Sequence, residues 1–308
     1  MSRMSEKKFN LDCLKTIDCK QGAVRSVRFN VDGSYCLTCG ADKKIKLWNP
    51  YKAFPLKTYS GHGNEVLNAC SSCDNSQIVS CGRDKLVILW DVSSGAPLRR
   101  FRGHSGQVTC VRFNEESTVA ISGSHDNTVM CWDVRSRNNT PIQVMRDAKD
   151  SITSLEVAGH EILTGSVDGK VRRYDIRMNK MFSDFIGEAV TSVSLTRDSQ
   201  CVLVSSSDNI VRLLDKDSGE LLGEYSGHRT DDFCIESCID NKDHHVLSGS
   251  VDGNIWCWDL VQGTVVTKLT HESGHVVHSI SSHPSQLCLL SAGQGVVKLW
   301  GIPEDDEN

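Results

Sequence analysis

A closing dipeptide returns seven times along the chain and divides it into segments of nearly equal length. The dipeptides, which define repeats 1 to 7 in chain order, are Trp48-Asn49, Trp90-Asp91, Trp132-Asp133, Tyr174-Asp175, Leu214-Asp215, Trp258-Asp259 and Trp300-Gly301. Subtraction of successive positions gives intervals of 42, 42, 42, 40, 44 and 42 residues. A fixed period of this kind indicates one supersecondary unit stacked several times, because a single unit cannot bury its own apolar face.

The period and the Trp-Asp ending are typical of WD40 repeats, each of which forms one four-stranded blade of a β-propeller. The sequence therefore predicts an all-β fold, a seven-bladed WD40 β-propeller. The repeats override the division into about two domains that chain length alone would suggest. The predicted organisation is a short N-terminal tail over residues 1–10, a single propeller over residues 11–301 and an acidic C-terminal tail over residues 302–308.

Three repeats have a full polar pattern before the closing tryptophan. In each, a Ser lies four residues before an Asp, and the Asp lies six residues before the Trp, with a His further upstream. The sets are His62, Ser80, Asp84 and Trp90; His104, Ser122, Asp126 and Trp132; and His228, Ser248, Asp252 and Trp258. We predict that each set forms a turn lock, in which imidazole, hydroxyl, carboxylate and indole are linked by hydrogen bonds around a tight turn.

The same residue types also make up the triad of serine hydrolases. Three sets at equivalent repeat positions favour architecture, since a nucleophile would be expected once, and no Gly-x-Ser-x-Gly elbow is present in the sequence. The sequence also lacks a Gly-x-x-x-x-Gly-Lys phosphate loop and a Gly-x-Gly-x-x-Gly motif after a strand. We therefore predict a protein without enzymatic activity and without a cofactor.

The other repeats lack parts of the pattern. Repeat 1 has Lys20 at the expected His position, repeat 4 closes on Tyr174, repeat 5 closes on Leu214, and repeat 7 has Gln294 in place of the Asp. We expect packing, or other hydrogen bonds, to hold these four repeats.

An outer-strand motif precedes several repeats and suggests how the two chain ends meet. It reads Leu56-Lys57-Thr58-Tyr59, Leu98-Arg99-Arg100-Phe101 and Leu222-Gly223-Glu224-Tyr225, each eight residues after the previous closing residue. Eight residues after Trp300 is Asn308, so repeat 7 has no such strand, whereas Leu14-Lys15-Thr16-Ile17 matches the motif before repeat 1. The sequence therefore predicts an N-terminal strand that pairs into the last blade and protects the sheet edges.

Charge and cysteine usage limit the remaining classes. The net charge of −5 argues against a nucleic-acid-binding surface, so any RNA contact should be indirect. No run of about 18 apolar residues and no secretory signal is evident, and 14 cysteines without such a signal indicate a reduced compartment, cytoplasmic and nuclear.

The pairs Cys36/Cys39 and Cys70/Cys73 have zinc-like spacing, but strand residues three apart face opposite ways, so we predict no metal site.

One rim of the predicted ring should present the residue before each turn Asp and the loops after the outer strands. Arg83 and His125 belong to the first group, and Arg229 and Asp231 belong to the second. Since arginine is enriched at interface hot spots, Arg83 and Arg229 are the strongest partner-binding candidates, and a merely solvated rim is the alternative. Two further arginines, Arg135 and Arg177, follow the closing dipeptides of repeats 3 and 4 in a pattern that resembles a box in propeller substrate receptors of cullin-type ubiquitin ligases.

Several segments together resemble one family closely. They are GAVRSVRFNVDG at 22–33, YCLTCG at 35–40, KLWNP at 46–50, GSVDG at 165–169, VRRYD at 171–175, RLLDKD at 212–217 and GELLGEY at 219–225. They resemble the mitogen-activated protein kinase organizer 1 family of seven-bladed WD-repeat scaffold proteins, from about Leu14 to Trp300.

The resemblance implies a scaffold that assembles components of the extracellular-signal-regulated MAP kinase cascade. It also implies association with the spliceosome in pre-mRNA splicing, with a prolyl hydroxylase as a further partner. The expected state is a monomeric propeller within larger complexes, with no membrane partner. The alternatives are a structural splicing subunit only, or the substrate receptor of a cullin-type ubiquitin ligase.

Overall fold

The computed structural model describes residues 11–231 and 233–303, which form 27 strands. The predicted N-terminal tail over 1–10, the acidic residues from Glu304 to Glu307, and Asp232 of the repeat 6 loop lie outside the described residues.

The strands of repeats 1 to 3 are short except for the first. They are β1 (Asp12–Phe29), β2 (Cys36–Gly40), β3 (Lys44–Asn49), β4 (Phe54–Ser60), β5 (Val66–Ser71), β6 (Gln77–Gly82), β7 (Leu86–Asp91), β8 (Pro97–Arg102), β9 (Val108–Phe113), β10 (Val119–Ser124), β11 (Val129–Asp133) and β12 (Gln143–Met145). Repeats 4 and 5 contain β13 (Ile152–Ala158), β14 (Glu161–Ser166), β15 (Lys170–Asp175), β16 (Lys180–Phe185), β17 (Val190–Leu195), β18 (Cys201–Ser206), β19 (Ile210–Asp215) and β20 (Leu221–Ser226). Repeats 6 and 7 contain β21 (Ser237–Ile239), β22 (His245–Ser248), β23 (Asn254–Asp259), β24 (Val265–Thr270), β25 (Ser279–Ser282), β26 (Cys288–Ala292) and β27 (Gln294–Gly301).

The strands pair in chain order into antiparallel sheets. Five described sheets have four strands each, and a sixth has seven in the order β25-β26-β27-β1-β2-β3-β4. The long β1 serves twice in that sheet, because Asp12 to Asp18 pair with β27 and Val24 to Phe29 pair with β2. The described strands therefore form six sheets, or seven sheets of four antiparallel strands when β1 is counted in both halves of the longest one. This arrangement is consistent with a WD40 propeller.

The turn between the second and third strands of a repeat has a fixed backbone. The residue after the turn Asp has a positive φ in six repeats: Lys43 65°, Lys85 64°, Asn127 65°, Gly169 74°, Asn209 63° and Gly253 83°. A left-handed residue costs about 1 kcal/mol for an L side chain such as lysine, so the turn depends on the bonds that the preceding Asp makes. Asp84 supplies one of them by accepting from the backbone N–H of Leu86 at 3.2 Å.

The core consists of layers between neighbouring sheets. Trp90 is fully buried and packs with Leu37, Ile45 and Tyr59 of the preceding repeat. The rings of Tyr59 and Trp90 meet edge to face at 6.0 Å. Each closing indole therefore joins its own sheet to the previous one, and such aromatic contacts contribute about 1 kcal/mol beyond the area buried.

In the described part of the chain, no helix has the length and apolarity of a membrane span.

Candidate functional site

The turn lock of repeat 2 is a continuous chain of hydrogen bonds. His62 Nε2 lies 2.8 Å from Ser80 Oγ, and His62 Nδ1 lies 2.8 Å from the Asp84 carboxylate. The indole of Trp90 donates to Ser80 Oγ at 2.8 Å. The equivalent residues of repeat 3 meet in the same way: His104 Nε2 and Trp132 Nε1 each lie 2.8 Å from Ser122 Oγ, and His104 Nδ1 lies 3.0 Å from Asp126.

The donors fix where the protons lie. An ionised carboxylate can only accept, so the histidine Nδ1 is protonated and donates to the aspartate. In a neutral imidazole Nε2 then accepts, so the serine hydroxyl donates to Nε2 and its oxygen accepts from the indole N–H. Burial lowers the pKa of His104 despite the opposing effect of Asp126, so this imidazole is neutral at neutral pH. Burial alone would raise the pKa of Asp126, but hydrogen bonds from Thr128 and the proximity of His104 outweigh it and lower the pKa to about 2.

This arrangement has the connectivity of a hydrolase triad but not its accessibility. Ser80 and Ser122 are 0% exposed, and each hydroxyl oxygen already accepts an indole N–H. A nucleophile must reach its substrate and be free to attack. These residues therefore bind a loop to the strands behind it and present no hydroxyl to solvent.

The four residues predicted to lock repeat 6 are not linked in the structure. Both ring nitrogens of His228 are buried without a hydrogen-bond partner, and Ser248 Oγ donates to the carbonyl of Gly249 at 3.0 Å. Trp258 Nε1 donates to the Ser226 carbonyl at 3.1 Å, so this part of the prediction needs correction.

A second tryptophan explains the difference in repeat 6. Trp256 stands two residues before the closing Trp258, where repeats 2 and 3 have Ile88 and Met130. Its indole donates to Asp252 at 3.2 Å and stacks on Trp258 at 5.9 Å. Since Trp256 is bonded to the aspartate, the contact of the His228 ring that remains among the described residues is the edge-to-face one with Trp258 at 5.5 Å.

Repeats 4 and 5 hold their turn aspartates with arginine, which the sequence analysis did not predict. Arg172 reaches Asp168 at 2.6 Å and Ser166 at 2.7 Å, and Arg212 makes the same two contacts with Asp208 and Ser206 at 2.6 and 2.7 Å. Both arginines stand two residues before the closing residue, at the position of Trp256 in repeat 6. An Arg at that position was the available sequence signal, and it replaces the absent histidine.

Repeats 1 and 7 use other substitutes. Gln21, rather than Lys20, occupies the histidine position of repeat 1: its amide donates to Asp42 at 3.0 Å and accepts from Thr38 Oγ1 at 2.5 Å. In repeat 7, His271 Nδ1 and Trp300 Nε1 both lie 2.8 Å from Ser291 Oγ. Polar networks therefore hold these repeats as well, in addition to packing.

A cavity of about 790 Å³ lies where the first strands of all repeats converge. Residues of β1, β5, β9, β13, β17, β21 and β25 line it. Two arginines in its wall are each neutralised by a neighbouring glutamate. Arg28 forms a two-pronged pair with Glu236, with one contact of 2.7 Å, and Arg112 lies 3.4 Å from Glu156. Burial alone would raise the pKa of Glu236, but Arg28 outweighs it and the pKa is lowered.

A further group of charged and ring-bearing residues lines the cavity where side chains reach the surface, since Arg83, His125 and Phe233 are exposed. We call this group the cavity mouth: it consists of Arg25, Arg83, His125, Phe233 and His278, together with Glu65, which pairs with both arginines. Arg83 Nε lies 3.0 Å from Glu65 Oε2, and Arg25 Nη2 lies 3.6 Å from the same oxygen. The predicted rim residues Arg83 and His125 therefore lie on the cavity, with His125 3.3 Å from Ser151.

The other predicted partner-binding residues lie elsewhere. Arg229 and Asp231 form an exposed pair at 3.3 Å and are not among the residues that line the cavity. Arg135 is 71% exposed and lies 3.7 Å from Asp133, and Arg177 is exposed as well.

One group of possible metal ligands is present among the described residues. His160, Glu161 and Asp175 each place one donor atom within 4.8 Å of the others. Both oxygens of Glu161 already accept hydrogen bonds, from Arg173 at 2.7 Å and from Lys216 at 2.9 Å. The two cations neutralise this carboxylate, which makes the group a poor ligand set for a metal ion.

The antiparallel sheets, the repeat period and the polar locks together define a WD40-repeat protein. A family model for the WD domain, G-beta repeat, matches residues 11–49, 219–259 and 263–301, and a model of the nucleolar protein 10-like N-terminal domain matches residues 71–237. The chain belongs to the family of WD repeat domain-containing protein 83.

The relatives of that name are similar over most of their length. The rat (Rattus norvegicus) protein is 61% identical over 93% of this chain and 91% of the relative, and the human (Homo sapiens) protein is 59% identical over the same shares. An uncharacterized WD repeat-containing protein of Schizosaccharomyces pombe is 48% identical over 85% of this chain and 88% of its own. These names correct the family given on sequence resemblance, mitogen-activated protein kinase organizer 1: the family is that of WD repeat domain-containing protein 83.

Proposed function

We propose that this protein is a non-enzymatic scaffold that binds protein partners through a seven-bladed ring. The cavity mouth is the observation on which the proposal rests, because it gathers charged side chains from several repeats at one accessible place. Arg83 is 44% exposed there and Glu65 is 22% exposed. Exposed arginines next to a concave surface are common anchors of protein interfaces, and WD40 domains in general mediate protein–protein interaction.

Ring closure through the chain ends is part of the proposal. The pairing of Asp12 to Asp18 with β27 supports it, because the N-terminal segment would then serve as the outer strand of repeat 7. A closed ring leaves only short, protected sheet edges, so its faces and its outer side can serve as separate docking surfaces.

The outer side offers a second surface of different chemistry. Three side chains of β16 are exposed: Met181 by 42%, Phe182 by 45% and Phe185 by 69%. Because β16 is the end strand of its sheet, it offers apolar side chains at an exposed edge, and exposed apolar surface can mark a contact site. Two separate surfaces would let one molecule hold two partners at once, which raises the concentration of each partner near the other.

The partner classes stay proposals. We propose components of the extracellular-signal-regulated MAP kinase cascade, and splicing factors of the spliceosome, with a prolyl hydroxylase as a further candidate. The corresponding locations are the cytoplasm and the nucleus. The alternatives are a structural splicing subunit only, or a cullin-type substrate receptor, for which Arg135 and Arg177 would bind the adaptor.

Affinity purification of the tagged full chain, with and without ribonuclease and with quantitative mass spectrometry, tests these proposals. Kinase-cascade proteins retained after ribonuclease support the signalling scaffold. Splicing proteins without kinases support the splicing subunit, and their loss on ribonuclease treatment indicates an RNA bridge. Loss of a cullin adaptor from the double variant Arg135→Ala/Arg177→Ala would support the receptor instead.

A further inference from the structure

The cavity mouth has an imbalance between arginines and carboxylates. Arg25 and Arg83 share a single carboxylate oxygen of Glu65, at 3.6 and 3.0 Å. Elsewhere on the cavity wall the ratio is one to one, since Arg28 pairs with Glu236 and Arg112 with Glu156. One positive charge is therefore in excess, and it lies at the mouth.

The shared contact is also poorly hydrogen-bonded. In the described structure, Arg25 Nε and Glu65 Oε2 are buried atoms without a hydrogen-bond partner, because the 3.0 Å approach of Arg83 Nε to that oxygen lacks hydrogen-bond geometry. A guanidinium has five N–H donors in a planar fork that fits a carboxylate through two parallel bonds. Glu65 cannot satisfy two such forks at once, so donor capacity remains for a second carboxylate.

We propose that Arg25 and Arg83 bind carboxylate side chains of an acidic segment of a partner protein, in competition with Glu65. This inference rests on the scaffold function proposed above and identifies the chemistry of one of its partners. The segment would enter from the exposed side of Arg83, and each carboxylate it brings would complete a fork that Glu65 leaves unfilled.

The neighbours of the two arginines suit a polypeptide. Phe233 is 43% exposed and contacts the ring of His278 edge to face at 5.6 Å, which gives an apolar surface beside the charges. Burial, with the nearby Arg25, lowers the pKa of His278 to about 4, so its imidazole is neutral and can donate one hydrogen bond. A peptide can use charged, polar and apolar contacts together, whereas a free anion would use only the first two.

A nucleic acid fits this site less well. Tight nucleic-acid binding requires many phosphate contacts, each made by a cationic side chain. The cavity mouth has one uncompensated charge, and the chain as a whole has a net charge of −5, which repels a long polyanion.

Fluorescence anisotropy with fluorescein-labelled oligo-L-glutamate as the probe tests the proposal on the full chain at low salt. We expect wild type to bind the probe and oligo-L-glutamine not to bind. Arg83→Gln and Arg25→Gln should weaken binding by about tenfold, and Glu65→Gln should strengthen it by about tenfold, because it removes the competitor. Arg137→Gln, an exposed arginine that does not line the cavity, is the matched control and should change nothing.

Three results would overturn the proposal: no binding of oligo-L-glutamate, equal affinity of wild type and Glu65→Gln, or tighter binding of oligouridylate RNA that depends on Arg83. Circular dichroism melts establish that each variant is folded, and the opposite signs expected for Glu65→Gln and Arg83→Gln separate binding from general damage. If cellular partners are still recovered by Arg83→Gln while oligo-L-glutamate fails to bind wild type, only this inference fails. If no partner is recovered by wild type, the scaffold function fails as well.

Discussion

Arg172 and Asp168 form an ion pair at 2.6 Å in the turn of repeat 4, at the place where repeats 2 and 3 hold the aspartate with a histidine. The two side chains are only 3% and 11% exposed. The turn therefore has the same acceptor in different repeats, whereas the donor comes from the segment before the first strand in repeats 2 and 3 and from β15 in repeat 4. The fold requires hydrogen bonds that fix this turn, and either a histidine or an arginine can donate them to the aspartate.

Removal of that arginine should be costly. Arg172→Met leaves the Asp168 carboxylate buried without its cation, and we expect a loss of about 3 kcal/mol in the free energy of unfolding. Urea unfolding followed by circular dichroism measures it. Arg135→Met, at a side chain that is 71% exposed, is the control and should cost less than about 1 kcal/mol. Equal losses for the two variants would contradict the role given to Arg172.

The serine at the centre of each turn lock should matter only where the lock is complete. Ser80→Ala removes the partner of both His62 Nε2 and Trp90 Nε1, so we expect a loss of about 2 kcal/mol from two unsatisfied buried groups. Ser248→Ala removes only the bond to the Gly249 carbonyl, and about 1 kcal/mol or less is expected. Thermal and urea unfolding compare the two variants, and a larger effect at Ser248 would refute the assignment of the locks.

Acid should destabilise the fold before its carboxylates titrate. Burial lowers the pKa of His228 to about 4 from 6.5, against the opposing attraction of Asp208 and Asp252. Burial is also the main cause for His271, whose pKa is lowered to about 4. Since the folded pKa lies below the unfolded one, the stabilisation is fully present above about pH 6.5 and is lost as the pH falls toward about 4.

Replacement of one buried histidine isolates this effect. His228→Leu should lose less of its unfolding free energy than wild type between about pH 7 and pH 4, by on the order of 2 kcal/mol. Urea titrations at several pH values give the unfolding free energy as a function of pH for each protein. The same pH dependence in both proteins would show that His228 titrates no differently in the folded and unfolded chains.

The N-terminal half of β1 should stabilise the whole molecule. A chain that lacks residues 1–19 loses the segment paired with β27, together with the buried side chains of Leu11 and Ile17. At about 2 kcal/mol or more for each side chain, the loss should reach at least about 4 kcal/mol. A shorter deletion of residues 1–10, which leaves β1 intact, is the control. If the chain without residues 1–19 melts at the same temperature as the chain without residues 1–10, closure through the chain ends is contradicted.

The repeat period predicted the strands and turns that all repeats share, but not the side chains that differ from one repeat to another. The sequence indicated the sheets and the turn aspartates because the alternation of strands and turns is local. It placed Lys20 at the histidine position, whereas the next residue, Gln21, makes the bonds to Asp42 and Thr38. Lys20 has a left-handed backbone with φ 51°, and a count of residues does not detect such a local change of conformation.

The differences at Trp256, Arg172 and Arg25 have another origin. Whether Trp256 or His228 reaches Asp252 depends on how two indoles pack, which is a tertiary property. An Arg four residues after the turn Asp was a local signal for the Arg172 pair, whereas the predicted pattern depended on an upstream histidine. Arg25 and Glu65 come from different repeats, and only folding of the chain brings them within 3.6 Å.

Sequential purification with two tags tests the central claim, simultaneous binding of partners, most directly. The full chain is captured first, and the eluate is then captured again through a tag on one recovered partner. The account predicts that a second, different partner is still present after the second step, and that it is lost when the chain is absent. Recovery of each partner only without the other would contradict a scaffold and would leave a protein that binds one partner at a time.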